Sequence, residues 1–316
     1  MGVNSDEPIS IAVYGLGKIA FDQHIPAIEA SNDFHLAATI SQSKTIPDVP
    51  YFSTLNELAE SPTEVDAIAL CMPPNPRHRL AMKVIDAGYD LLLEKPPCAT
   101  VHEAETLFDA AQNASVTIFA SWHSKFAPMV AMAREWVSEN ECDHFQVVWN
   151  ENVIKWHPGQ KWVSESGGFG ILDTGINAFS ILNAIFDLDF FFEKVSFKRP
   201  LNWETPISAS FQMRSTTGLV GEVNFDWLVP GSDIWEIRFF SKSNKMVLSQ
   251  GGHKMFINDA PVSAQLPENG EYTALYNHFS HLIRNRLSDF DTAPLRFVEK
   301  LYEGARWKEV EAFDVA

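Results

Sequence analysis

The sequence predicts an α/β protein in two parts: a doubly wound parallel sheet, then an α/β part with a largely antiparallel open sheet. Three observations carry this. Strand-like and helix-like runs alternate from Ile9 to Trp122. A glycine turn, Gly15-Leu16-Gly17-Lys18-Ile19-Ala20, follows the first apolar run. From Phe190 to Leu248, strand-like runs succeed one another with no helix between them.

The elements follow in order. Ile9–Tyr14 is an apolar run that stops at Gly15, as a strand covered on both faces does. Lys18 to Ala30 carries apolar residues at helical spacing. His35–Ile40, Val65–Cys71, Tyr89–Glu94 and Val116–Trp122 read as further strands. Leu55–Glu60, Arg77–Ala87 and Val101–Ala114 read as the helices between them. Gly88 stands where a helix C-terminal glycine belongs. Such alternation implies parallel strands with right-handed crossovers.

Beyond Lys125 the texture changes. Met129–Val137 reads as a helix and Phe145–Asn150 as a strand. Gly167, Gly168 and Gly170 mark a loop that opens a helix from Ile171 to Phe186. Phe190–Phe197, Ile207–Arg214, Leu219–Trp227, Trp235–Ser241 and Lys245–Leu248 are split by turn residues, the mark of a mainly antiparallel sheet. Tyr272–Leu287 and Leu295–Arg306 end the chain as helices. The 316 residues suit two domains at about 150 residues each. No low-complexity linker intervenes, and the change of texture sets the boundary near residue 123, as 1–123 and 124–316.

Composition excludes several function classes. Apolar residues make up 46% and charged residues 21%, which suits a packed core and not a disordered chain. The 24 Lys and Arg against 41 Asp and Glu leave a net charge of −17. Nucleic acids and anionic membrane surfaces both select basic segments, so neither is an expected partner. No apolar run approaches the roughly 18 residues that span a bilayer. Met1–Ser10 holds Asp6 and Glu7 and no basic residue, so no signal peptide is expected and the chain reads as cytoplasmic. Cys71, Cys98 and Cys142 are scattered, with neither a disulfide framework nor a zinc pattern. His278 and His281 sit at i and i+3 on a helix with no Asp, Glu or Cys ligand set accompanying them, so no metal is expected.

The Gly15–Ala20 turn joins a strand to a helix start. Gly15 permits the tight turn, Gly17 lets backbone approach a pyrophosphate, and Ala20 suits close helix–strand packing. The N–H groups around Lys18 and Ile19, with the helix dipole, favour phosphates. Asp33 precedes the second strand, whereas a ribose reader must follow it. Ser41, Gln42, Ser43 and Lys44 do follow it, and none is acidic. Ser41, Gln42 and Lys44 can donate hydrogen bonds to a 2′-phosphate, so NADP is favoured, with NAD also admitted. Pro73 and Pro74 are expected to shape the nicotinamide side. Glu94-Lys95-Pro96-Pro97 closes a buried strand, and carboxyl ends of parallel strands face the ligand crevice. Glu94 and Lys95 are therefore expected near the cofactor, although such a pair can also simply close a strand at the surface. Lys95 can hold a substrate hydroxyl and help carry its proton.

Three segments together resemble the Gfo/Idh/MocA oxidoreductase family in order and spacing: the Gly15–Ala20 turn, Glu94-Lys95-Pro96, and Gly168-Phe169-Gly170-Ile171-Leu172-Asp173-Thr174-Gly175-Ile176-Asn177. The resemblance implies an N-terminal Rossmann domain over 1–123 that binds the dinucleotide. It also implies an α/β domain over 124–316 that binds substrate and whose open sheet makes a homo-oligomer. Most of the family places a His four residues after the helix Asp, whereas here Asp173 is followed by Asn177. That spacing puts both on one helix face. Asn cannot titrate, so proton acceptance moves to Asp173 or Lys95.

This Asp/Asn version, with Trp122-His123-Ser124, Glu151 and Trp156-His157-Pro158-Gly159-Gln160, is similar to aldose 1-dehydrogenases of the L-arabinose and D-galactose type. Those enzymes oxidise the anomeric hydroxyl of a sugar to a lactone. The resemblance implies catalytic Lys95, Asp173 and Asn177. It implies sugar contacts from His123, Glu151 and His157, with Trp156 or Trp235 either stacking on the sugar or filling the core. Two alternatives stay open: a dehydrogenase for another polyol or dihydrodiol, and a non-catalytic dinucleotide-binding regulator.

Overall fold

The computed structural model describes residues 7–186, 189–228, 231, 233–263 and 270–314. Residues 1–6, which carry much of the N-terminal reading, lie outside them. Two compact units form: Met1–His123 with Asn269–Thr292, and Ser124–Glu268 with Ala293–Ala316.

In the first unit β1 (Ile9–Tyr14) leads through a π-helical turn at Ala20–His24 into α1 (Ile25–Glu29). There follow β2 (Phe34–Ile40), β3 (Tyr51–Phe52), α2 (Leu55–Ala59), β4 (Ala67–Leu70), α3 (Pro74–Asp86), β5 (Asp90–Glu94), α4 (Val101–Ala114) and β6 (Ile118–Ser121). The sheet runs β3-β2-β1-β4-β5-β6 with every pair parallel, the Rossmann order. Its switch point lies between β1 and β4. Val13, Ala69 and Leu92 expose nothing, and β4 and β5 are buried throughout. Cover on both faces is why these strands read as unbroken apolar runs. The strand β3 is too short to leave a periodic signal and was not expected.

The second unit holds α5 (Val130–Glu139), β7 (Cys142–Asn150), α6 (Val153–Trp156), α7 (Leu172–Ile185), β8 (Phe190–Pro200), β9 (Ser208–Ser215), β10 (Val220–Asp226), β11 (Ile234–Ser241), β12 (Lys245–Ser249), β13 (Lys254–Ile257) and β14 (Ala260–Pro261). Strand β7 alternates buried Phe145, Val147 and Trp149 with part-exposed neighbours, as a sheet covered on one face requires. That covered face meets α7: Phe179 sits 6.0 Å from Phe211 and 5.6 Å from Phe225, ring centre to ring centre. Phe190 and Phe192 turn to the same core, while Phe191 is exposed.

The chain then returns to the first unit with α8 (Glu271–Asn285). Tyr276 and Phe279 of α8 pack on Phe34 at 5.3 and 5.9 Å. A single cut near residue 123 therefore needs correction, because the apolar stripe of α8 is buried against β2. The last elements, α9 (Ala293–Gly304) and β15 (Arg306–Val310), belong to the second unit. Strand β15 is almost wholly exposed, so its sequence shows no alternation, and the helical spacing of Leu295–Arg306 runs on into its start. It completes the sheet β14-β13-β12-β11-β7-β10-β9-β8-β15. In that sheet β7–β10 and β8–β15 run parallel and the other pairs antiparallel. No helix among the described residues is long and apolar enough to cross a membrane.

Candidate active site

The phosphate turn lies at the switch point. Gly15 has φ +98°, and a Cβ there would come within 3.1 Å of the Met72 nitrogen and 3.3 Å of the Cys71 carbonyl carbon. A side chain there would force the end of β4 to give by a few tenths of an ångström, and the positive φ disfavours one in any case. A Cβ on Gly17 would meet only the Cys71 oxygen at 3.9 Å, so the space over this exposed backbone stays open. Gly17, Lys18 and Ile19 lead into the first helical turn, where amide N–H groups lack carbonyl partners within the helix. That open cradle fits a dinucleotide pyrophosphate. Lys18 is exposed and pairs with Asp22 one turn on.

At the ribose end, Ser41 follows β2 and its hydroxyl oxygen accepts the Lys44 N–H at 3.2 Å. Gln42 is exposed, and the Lys44 ammonium lies 5.4 Å from the centre of the Phe21 ring. This donor set, free of carboxylates, fits a 2′-phosphate. Asp33 is at the opposite end of β2, its carbonyl accepting the Ile9 N–H at 2.8 Å. Pro73 is exposed and caps α3. His78 bonds Thr106 on α4 at 3.0 Å.

Half-buried Lys95 follows β5, and its own N–H donates to Glu94 Oε2 at 2.9 Å. Glu94 Oε1 accepts the Tyr272 hydroxyl at 2.6 Å and faces His24 Nε2 at 3.0 Å. His24 Nδ1 meets the Tyr276 hydroxyl at 2.8 Å. Glu94 was expected at the cofactor, but it is buried and both its oxygens hold protein groups, so its geometry is that of a support for Lys95. Burial alone would raise its pKa, but the hydrogen bond and charge of His24, with His123 and Tyr272, bring it down to about 2. Burial likewise opposes a charge on His24; Cys71, Tyr276 and the bond to Glu94 outweigh it and hold its pKa well above the ordinary value.

Buried Arg77 donates to the carbonyls of Met72, Glu94 and Pro96, so it holds the backbone one residue before and one residue after Lys95. His123 also belongs to this unit, with Nδ1 2.5 Å from Glu271 and its ring stacked on Tyr272 at 5.3 Å. Arg77, Tyr272 and Tyr276 are not singled out by the sequence. Arg77 alone left a signal, as a basic residue among the apolar positions of a buried helix face.

The second unit gathers the sugar-side candidates at the carboxyl end of β7. Buried Glu151 accepts the Trp227 indole N–H at 3.1 Å and the Trp235 N–H at 2.9 Å, one on each oxygen. His157 Nε2 is 4.0 Å from the same carboxylate, and its ring sits 5.2 Å from Trp227. Trp235 stacks on Trp149 at 6.3 Å and lies 5.2 Å from Trp156. Two buried polar atoms here, Asn150 Oδ1 and Trp156 Nε1, have no partner among the described residues. The result is an aromatic wall around a carboxylate, a surface type that takes apolar faces and hydroxyls together.

Asp173, buried, and Asn177, half-buried, share one face of α7 as their spacing requires. A Cβ on Gly175 between them would come 2.4 Å from the Phe225 ring, so α7 approaches β10 as only glycine allows.

A phosphate cradle at the switch point of a Rossmann sheet, with a pinned lysine at the end of β5, defines a class: NAD(P)-dependent oxidoreductases. Comparison with known proteins agrees. Residues 9–121 match the model of an oxidoreductase family with an NAD-binding Rossmann fold, Gfo/Idh/MocA. Over 308 residues, 97% of this chain and 99% of the relative, the sequence is 39% identical to galactose 1-dehydrogenase of Pseudomonas fluorescens. The crystal structure of a D-galactose-1-dehydrogenase from Rhizobium etli superposes with TM-score 0.93 at 37% identity, over 99% of this chain and 100% of that one. A 3-ketoreductase of Actinomadura kijaniata, solved with NADP and TDP-benzene, shares the fold at TM-score 0.83 and 17% identity, over 96% and 99%. The chain belongs to the Gfo/Idh/MocA oxidoreductase family and is an NAD(P)-dependent dehydrogenase.

Proposed function

We propose that the enzyme oxidises the C1 hydroxyl of an aldopyranose with the D-galactose or L-arabinose hydroxyl pattern to the lactone. The single observation that carries this reading is the 39% identity to a galactose 1-dehydrogenase, which runs through both units. The aromatic wall around Glu151 supports it.

When bound, the nicotinamide supplies the acceptor for the C1 hydride. The protein handles the proton and the sugar. Lys95 holds O1 and steadies the alkoxide that develops there. Asp173 takes the O1 proton. Asn177, which can donate and accept but cannot titrate, orients the substrate. Glu151, His157 and His123 read ring hydroxyls, and Trp156 or Trp235 lies against an apolar face of the ring. Ser41 and Gln42 receive the 2′-phosphate of NADP. The same reading sets the enzyme in the cytoplasm as a homo-oligomer joined through the open face of the nine-stranded sheet.

The test is NADP+ and NAD+ reduction, followed spectrophotometrically with D-galactose, L-arabinose, D-glucose, an inositol and a dihydrodiol, with the lactone trapped by hydroxylamine. Galactose and arabinose should be turned over best, with hydroxamate formed. Preference for the inositol or dihydrodiol, or no turnover with any substrate, contradicts the proposal.

A further inference from the structure

The helix that begins at the phosphate turn ends its π-helical segment on His24, and that imidazole reaches the strand end that carries Lys95. Three donors converge on the Glu94 carboxylate: His24 Nε2 at 3.0 Å, the Tyr272 hydroxyl at 2.6 Å and the Lys95 N–H at 2.9 Å. A buried carboxylate with this many charge-assisted bonds is a rigid anchor, provided that it stays ionised. We propose that His24 is a positioning residue for the reaction: it holds Glu94 as a carboxylate, and Glu94 in turn fixes the peptide from which the Lys95 side chain springs. The depressed pKa of Glu94 and the raised pKa of His24 accord with this. The groups facing the pair are Tyr272, Tyr276 and Glu271 from α8, Cys71 after β4 and His123 after β6.

The inference rests on the role given to Lys95. Without His24, Glu94 remains buried and loses the largest of the interactions that hold it ionised, and burial then favours its protonated form. The test is the pH dependence of kcat for His24→Leu, Tyr272→Phe and Glu94→Gln, per mole of folded enzyme. Loss of alignment at a reacting group costs up to about a hundredfold in rate. His24→Leu should lose roughly ten- to a hundredfold in kcat at acidic pH, with a new rising limb as Glu94 regains its charge. Dinucleotide affinity, read by fluorescence titration, should not change. Tyr272→Phe should show a smaller loss in the same direction and serves if His24→Leu does not fold. Glu94→Gln should be slow at every pH, with no such limb.

Unchanged kcat and pH profile in the His24 or Tyr272 variant overturns the proposal, as does a loss confined to melting temperature or dinucleotide affinity. If the wild-type enzyme proves to oxidise another alcohol, the proposed substrate fails, and the role of His24 is then read with that alcohol.

Discussion

His24 and Glu94 lie 70 residues apart in sequence and 3.0 Å apart in the first unit, Nε2 to Oε1. Neither is exposed to an appreciable extent. Their contact ties the helix that follows the phosphate turn to the strand end that carries Lys95.

That pairing has a consequence for stability. Glu94 has a folded pKa of about 2, below its ordinary value of 4.5, so its contribution is full above the carboxylate range and is lost as pH falls toward 2. His24 has the opposite sign: its raised pKa gives a contribution that is full below 6.5 and is lost as pH rises through the raised value. Thermal melting of Glu94→Gln should therefore depend less on pH than that of wild type between about pH 5 and pH 2. Equal slopes in the two proteins would contradict the depressed pKa.

Much of the first unit was legible because double-sided burial writes itself as uninterrupted apolar runs, as in Ala67–Leu70 and Leu91–Leu93. The tyrosines that support the Lys95 strand end were not legible. Tyr272 reaches Glu94 across 178 positions, and nothing local in Glu271–Asn285 distinguishes a core tyrosine from a carboxylate donor. The same limit hid Trp227, whose partner Glu151 lies 76 residues away. Asp173 and Asn177 were legible because helical spacing alone puts them on one face. Strand β15 was not, because an exposed edge strand needs no apolar alternation.

Cofactor preference should respond to the loop after β2. Gln42→Arg should raise the ratio of kcat/KM for NADP over NAD, since a guanidinium forks onto the 2′-phosphate. Ser41→Asp should lower it by charge repulsion. Steady-state kinetics with both cofactors checks this, and an unchanged ratio in both variants would place the ribose end elsewhere.

His157 lies in the second unit beside Glu151. His157→Ala should raise KM for the sugar and leave NADP affinity unchanged. A fluorescence titration that shows weakened NADP binding would count against assigning this residue to the sugar.

Gly175→Ala should destabilise the second unit. The added methyl meets Phe225 at 2.4 Å, and overpacking costs about 1–3 kcal/mol, against the ~1 kcal/mol that Ala regains over Gly in a helix. Urea unfolding should show a lower midpoint at an unchanged m-value. Stability equal to or above wild type would mean that α7 shifts freely away from β10.

The division of labour between Asp173 and Lys95 is the centre of the account, and the pH dependence of kcat for Asp173→Ala and Lys95→Met tests it most directly. Asp173→Ala should lose about 10²–10⁴ in kcat, the usual worth of a positioned proton transfer, while folding and NADP binding survive. Asn177→Ala should lose less. Lys95→Met should keep a rising limb from a carboxylate, and Asp173→Ala should lack that limb. Near-normal kcat in Asp173→Ala alongside an inactive Lys95→Met would contradict the account and make the lysine the base.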